Sequence, residues 1–385
     1  MPVITCIEDL RRLAQRRVPR MFYDYADSGS WTEGTYRANH ADLEAIKLRQ
    51  RVACNIENRN LATRIAGAEA SMPAALAPVG LTGMQHADGE IHAARAAEKF
   101  GVPFTLSTMS ICSIEDVAAN TTKPFWFQLY VMRDREFSRA LIDRAKAARC
   151  SALVLTLDLQ IIGQRHKDLV NGLSAPPRPT FANVVNLMTK PRWCMGMLGT
   201  SRRTFGNIVG HAKNVNDLTS LSSWIAEQFD PALCWDDVEW IKKQWGGKLI
   251  LKGILDVEDA RIAAKTGADA IVISNHGGRQ LDGASSSIRA LPAIADAVGS
   301  KIEVLMDGGV YSGQGLLKAI ALGAKGVLLG RAWVYGLGAQ GEAGVTNALE
   351  IIRKELDLTM AFCGRTDIRT VDRDILLPAS IPGPL

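Results

Sequence analysis

Ala268-Asp269-Ala270-Ile271-Val272-Ile273-Ser274-Asn275-His276-Gly277-Gly278-Arg279-Gln280-Leu281-Asp282-Gly283 decides how the rest of the chain is read. Its first six residues form an apolar, β-branched run with the character of a buried parallel strand. That strand gives way at once to a serine, a histidine and an arginine. Gly277 and Gly278 let the backbone turn sharply, so His276 and Arg279 can face one small space. A neutral imidazole accepts a proton, and a guanidinium grips a carboxylate through two parallel hydrogen bonds. The pair suits proton abstraction from an anionic substrate. A lone histidine after a strand is usually a loop residue, but two glycines, an arginine and an aspartate beside it favour a site.

Working outward, the same strand character recurs. Short apolar runs stand at Ala74–Val79, Pro103–Ser107, Phe125–Tyr130, Ala152–Leu157, Lys248–Lys252, Ala270–Ser274, Ile302–Met306 and Gly326–Leu329. Helical patterns follow most of them, as at Ile91–Phe100, Arg135–Arg149, Val257–Thr266 and Gly315–Leu322. Alternating strands and helices imply a parallel sheet with right-handed crossovers, and eight such strands favour a closed (β/α)8 TIM barrel within the α/β class. Each strand ends in a chemically useful group: Ala77-Pro78-Val79, Ser107, Gln128 with Tyr130, Thr156 with Asp158, Lys252, Ser274 with His276, Asp307-Gly308-Gly309, and Gly330-Arg331. One polar strand end is a turn former; eight in phase build a site at the C-terminal face of a barrel.

The totals narrow the class. The chain has 385 residues, 47% of them hydrophobic, and a net charge of +5 with no long basic run, so nucleic acid is not an expected partner. Seven cysteines occur singly without a Cys-x-x-Cys pair, which predicts reduced thiols and no structural metal. The first twenty residues resemble neither a secretory signal nor a membrane span, and no later run is long enough to span. The expectation is one domain over 1–385: barrel about 73–338, insertion about 170–235 and C-terminal helix about 341–363. A helical segment over residues 5–24, interrupted by Pro19, precedes the barrel, and Ser380–Leu385 reads as a tail with little reason to be ordered.

Lys252 ends an apolar strand, which is costly for an ammonium unless a negative partner awaits it. A salt bridge at the barrel mouth is one explanation; a cofactor that becomes anionic is the other. Asp307-Gly308-Gly309 and Gly330-Arg331 follow the seventh and eighth strands, where barrels commonly bind phosphate through loop amides.

Ser274-Asn-His-Gly-Gly-Arg-Gln-Leu-Asp282 resembles the signature of the FMN-dependent 2-hydroxy-acid oxidases and dehydrogenases, and the resemblance runs from about residue 5 to residue 363. It implies FMN as cofactor and a small 2-hydroxy acid as substrate. It implies a flavin shell of Ala77, Pro78, Val79, Ser107, Gln128, Thr156, Lys252, Ser274, Asp307, Gly308, Gly309, Gly330 and Arg331. Tyr25, Tyr130, Arg165 and Arg279 match substrate-binding positions. His276 matches the catalytic base, Asp158 the partner that orients it, and Tyr130 a further catalytic position. A homo-oligomer is also implied. Three positions depart from the family's usual pattern: Tyr311 replaces a phosphate-binding arginine, Met109 a tryptophan of the glycolate oxidases, and Gly80 an alanine of the oxidase members.

The long insertion after strand 4 and the Cys112–Val117 context look most like the respiratory L-lactate dehydrogenases, which implies L-lactate to pyruvate, with electrons passed to quinone or another acceptor. A peroxide-forming oxidase, a mandelate-type dehydrogenase, a flavin-binding isomerase and a non-catalytic binding protein are the alternatives. Between Pro176 and Asn216 no acid interrupts Arg178, Lys190, Arg192, Arg202, Arg203 and Lys213, while Phe181, Trp193 and several methionines intervene. Such a stretch predicts contact with an anionic membrane surface, or else a basic lid. The expected location is cytoplasmic, peripheral on the inner face of the cytoplasmic membrane.

Overall fold

In the computed structural model, which describes residues 3–173, 180–211 and 227–383, eight parallel strands run in ring order. They are β3 (Ala74–Leu76), β4 (Thr105–Ser107), β5 (Trp126–Leu129), β6 (Ala152–Thr156), β7 (Lys248–Ile254), β8 (Ala270–Ile273), β9 (Glu303–Asp307) and β10 (Gly326–Leu329). Strand β10 pairs with β3, and a parallel bridge from Leu76 to Phe104 closes the ring between β3 and β4. The barrel is the one the sequence predicts. Lys252 does not end its strand, however: β7 continues through Ile254, with a register irregularity after Lys252.

Alternation along each strand divides the core in two, because successive side chains point to opposite faces. Val154, Ile250, Val272, Leu305 and Leu328 belong to one buried cluster inside the barrel. Their neighbours Leu153, Leu251, Ile271, Val304 and Leu329 pack outward into the larger core. A hairpin that the sequence did not disclose, β1 (Thr63–Ile65) with β2 (Ala68–Ala70), adds Ile65, Ala66 and Ala70 to the inner cluster. The Glu303 carboxylate accepts the Ala66 N–H at 2.8 Å, and Lys248 Nζ donates to the Ala66 carbonyl at 3.0 Å. The hairpin thus stops the end of the barrel opposite the strand-end residues.

Pro19 separates two N-terminal helices, Ile7–Arg17 and Arg20–Asp27. Arg11 holds Asp27 through two hydrogen bonds of 2.9 and 3.1 Å, and the Tyr335 hydroxyl donates to the same carboxylate at 2.6 Å. The second helix thereby lies across the barrel mouth. The C-terminal helix is Glu342–Phe362, preceded by Arg331–Gln340. The tail is more fixed than expected: Ser380 Oγ accepts the Lys47 N–H at 2.8 Å, and Pro384 and Leu385 lie outside the described residues.

Within the insertion, helices Phe181–Met188 and Pro191–Gly199 lie beside Arg20–Asp27. The Arg20 N–H donates to Asn186 Oδ1 at 2.7 Å, and Asn171 Nδ2 donates to Asp24 Oδ2 at 2.7 Å. Of the six cations read as surface charge, Arg178 and Lys213 lie outside the described residues. Lys190 is turned to the protein, its Nζ donating to the Arg16 carbonyl at 2.6 Å. Arg202 pairs with Asp88 at 3.1 Å and Asp116 at 2.7 Å. Arg192 and Arg203 remain exposed. Trp193 is likewise an internal residue, stacked on Phe22 and donating to the Met84 carbonyl at 2.8 Å.

Candidate active site

His276 has a left-handed backbone, φ +57°, which is uncommon for a residue with a Cβ and places it in a constrained turn. Its N–H is satisfied by Ser274 Oγ at 3.0 Å. Gly278 follows at φ +73°, where a Cβ would come within 2.5 Å of the Tyr36 backbone nitrogen. Only glycine serves there. The turn aims the imidazole at Asp158, whose Oδ1 lies 3.0 Å from Nδ1. A carboxylate only accepts, so Nδ1 carries the proton and Nε2 is left to act as a base. Burial works to raise the Asp158 carboxyl, but His276 and Lys252 outweigh it and hold it below its usual range. Asp158 therefore stays anionic and favours imidazolium once a proton arrives.

Two guanidiniums flank Tyr25. Arg279 lies 4.8 Å and Arg165 5.7 Å from its ring centroid. Arg279 spends Nη1 on the carbonyls of Tyr25 and Ser28, at the C-terminal end of Arg20–Asp27. Its Nε and Nη2 remain as a fork for a carboxylate. Burial, then the neighbouring charge of Arg165, brings Arg279 down to about 10, so it is charged at neutral pH. Arg165 is fixed by Asp168 at 2.5 Å. Burial first, then Asp158 and Tyr25, push the Tyr130 phenol far above its usual value, so its hydroxyl stays a donor. Phe229 meets the Tyr130 ring edge-on at 5.8 Å. Neither Asp168 nor Phe229 is among the residues expected from the sequence; an acid three residues beyond Arg165 is the available signal for the first.

These groups share a cavity of about 810 Å³. Ala77, Pro78, Val79, Ser107, Lys252, Asp307, Gly308, Gly309, Gly330 and Arg331 also line it, with Tyr25, Tyr130, Arg165, His276 and Arg279. Gln128, Thr156, Ser274 and Asp158 do not line it; they stand one layer behind. Gln128 accepts from Ser107 and donates to Thr156, both at 3.0 Å, and Ser274 accepts from Lys252 Nζ at 2.9 Å. Lys252 also pairs with Asp307 at 2.9 Å; burial would lower it, but Asp307 and Asp158 raise it above the usual lysine value.

The residues fit FMN. Lys252 puts a fixed positive charge at one edge of the cavity, which would favour the negative charge that a flavin held there would gain on reduction. Asp307 Oδ1 is buried without a partner, as an acceptor awaiting a ribityl hydroxyl would be. Gly330 opens the helix Arg331–Gln340, and no atom would obstruct a Cβ there, so the backbone is approachable by a phosphate. Arg331 brings charge to this end while donating to the carbonyls of Ala26, Gly277 and Ser28 at 2.8–3.0 Å. Tyr311 lines the same end, stacked on Tyr335 at 6.2 Å; burial pushes its phenol up to about 12, so it is neutral.

Fold and site together fit a barrel enzyme that acts on a small carboxylate beside a phosphate-bearing cofactor. A profile described as FMN-dependent dehydrogenase matches residues 14–378. The chain is 48% identical over 377 residues to the L-lactate dehydrogenase of Pseudomonas entomophila (strain L48), covering 97% of this chain and 98% of that protein. It is 47% identical over 376 residues to the L-lactate dehydrogenase of Caulobacter vibrioides (strain NA1000 / CB15N), again over 97% and 98%. Among solved structures it matches the monotopic membrane protein (S)-mandelate dehydrogenase with a TM-score of 0.92 and 36% identity, over 98% of this chain and 100% of that one. The chain belongs to the FMN-dependent dehydrogenase family, and FMN is its cofactor.

Proposed function

We propose that this chain oxidises L-lactate to pyruvate, with His276 as the base and a membrane quinone as electron acceptor. The observation that carries the reading is the one cavity in which His276, backed by Asp158, faces Arg279, Arg165, Tyr25 and Tyr130. The free fork of Arg279 binds the lactate carboxylate, and Arg165 adds a second positive charge. The Tyr130 hydroxyl donates to the substrate oxygen. Nε2 of His276 takes the substrate proton, and Asp158 stabilises the imidazolium that results. Bound FMN supplies the two-electron acceptor. Lys252 favours the charge that then develops at the cavity edge. The substrate preference follows the full-length likeness to L-lactate dehydrogenases at 47–48% identity.

Quinone is a membrane solute, and the insertion offers a surface for reaching it. No helix among the described residues is long and apolar enough to cross a membrane. Phe181, Met188 and Leu198 are nevertheless 84%, 77% and 75% exposed, with Val184, Val185 and Met195 between them. This apolar face, with Arg192 and Arg203, lies on an anionic membrane from the cytoplasmic side. The likeness to a monotopic membrane protein supports that placement.

A substrate panel tests the reaction. Purified holoprotein is assayed with L-lactate, D-lactate, glycolate and (S)-mandelate, with a dye acceptor and with oxygen in parallel. The highest kcat/KM is expected for L-lactate with the dye, and little oxygen consumption. A preference for (S)-mandelate, or rapid oxygen uptake, would replace the reading with one of its alternatives.

A further inference from the structure

Gln280 belongs to the stretch that decides the fold, yet neither the proton chemistry nor the cofactor shell uses it. Its side-chain amide is committed at both ends to the loop that follows β6. Nε2 donates to the carbonyls of Asp158 and Ile161, each at 2.8 Å, and Oε1 accepts the N–H of Gly163 at 2.9 Å. The Gln280 carbonyl in turn accepts from Ser30 Oγ at 2.6 Å. The two loops are pressed together: a Cβ at Gly163 would lie 2.5 Å from the Arg279 carbonyl oxygen and 2.9 Å from Gln280 Cα. Strand β7 stands between β6 and β8, so the amide clasps loops that no sheet hydrogen bond joins.

What the clasp holds is the machinery itself. The Asp158 carboxylate is tied at Oδ1 to His276, while Oδ2 is buried without a partner. Its side chain therefore has no second tether, and its direction depends on its main chain. Strand β7 fixes the main chain only as far as Leu157, whose N–H donates to the Lys252 carbonyl at 2.9 Å, and at Asp158 it makes room: a Cβ at Gly253 would come within 2.6 Å of Asp158 Cγ. Two residues past Gly163 the same loop delivers Arg165, the neighbour of Arg279 across Tyr25. One amide thus registers both halves of the site, base partner to base and arginine to arginine.

We propose that Gln280 is a positioning residue, whose amide holds the Asp158–Arg165 loop in register with His276 and Arg279. The inference rests on the reading of His276 as the base. Misplacing reacting groups by about 1 Å can cost ~100-fold in rate. The Gln280 hydrogen bonds set that placement from outside the cavity.

The test uses the FMN-loaded full chain, with Gln280→Ala, Gln280→Glu and, in parallel, His276→Gln. Glutamate keeps the shape and the acceptor to Gly163 but turns an acceptor on two carbonyls. Flavin reduction by L-lactate should slow roughly 10- to 100-fold in both Gln280 variants, at least as much in the glutamate as in the alanine. FMN content should be unchanged. A second readout needs no turnover: the low-field proton resonance of His276 Nδ1–H, assigned by its loss in Asp158→Asn, should broaden or vanish in both. If Gln280→Ala fails to load FMN, the near-isosteric glutamate carries the test. Parental rate and an intact low-field proton in Gln280→Glu would overturn the proposal and leave Gln280 a packing residue. Parental activity in His276→Gln would instead overturn the base on which it rests.

Discussion

At Tyr311 the family resemblance leads one to expect a phosphate-binding arginine, and this chain carries a phenol instead. A neutral phenol walls the phosphate end of the cavity beside Arg331, where an arginine would add a second charge. Tyr311→Arg should slow FMN loss on dilution, because a hydrogen bond to a charged group contributes ~1.5–3 kcal/mol. The same change should lower the melting temperature of the apoprotein, since two guanidiniums then share a buried site without a dianion between them. Release followed by flavin fluorescence checks the first part; release at the parental rate or faster would show that Arg331 and the glycine amides already suffice. At this scale the sequence was informative wherever a group stood at a strand end in phase with others. It was silent on Gln280 and Phe229, whose partners at 158–163 and 130 are set by the closed barrel and by no local spacing.

Among elements, the barrel strands were legible because β-branched runs buried on both faces have no other ready explanation. The β1–β2 hairpin was not, since three-residue strands carry no periodicity to detect. The insertion was half legible. Its composition pointed to a membrane, but Lys190 and Arg202 are used by Arg16, Asp88 and Asp116, partners remote in sequence. Trp193 and Asn183 also face inward, so deleting the segment would expose the Arg20–Asp27 helix as well as remove a surface. Point substitutions make the cleaner experiment. Phe181→Ser, Met188→Ser and Leu198→Ser together should cut flotation with anionic vesicles by several-fold while FMN content stays the same, because shallowly buried apolar side chains drive such binding. High salt should weaken what remains, as the Debye length falls to ~3 Å at 1 M. Unchanged flotation of the triple variant would return the segment to the role of a lid.

Over the whole molecule, Asp27 joins the N-terminal helices to the barrel. Burial works to raise its carboxyl, but Arg11 and Tyr335 outweigh this and depress it below the usual value. Such a group stabilises the fold above its unfolded value, about 3.9, and that contribution is lost as pH falls through the folded one. Asp27→Asn should therefore lower stability by about 1.5–3 kcal/mol at neutral pH. The gap from the parent should close in acid. Denaturation of both holoproteins across pH measures this; a gap that persists or grows in acid would contradict the assignment. At the mouth that Asp27 helps to close, the proposed step is removal of a proton from L-lactate by His276 as electrons reach FMN. Anaerobic mixing of the holoprotein with L-lactate tests it most directly, with parent and His276→Gln compared by flavin absorbance. The parent should bleach within its turnover time, and the variant, with FMN still bound, ~10²–10⁴-fold more slowly. Equal bleaching of the two, or none in the parent with any 2-hydroxy acid, would contradict it.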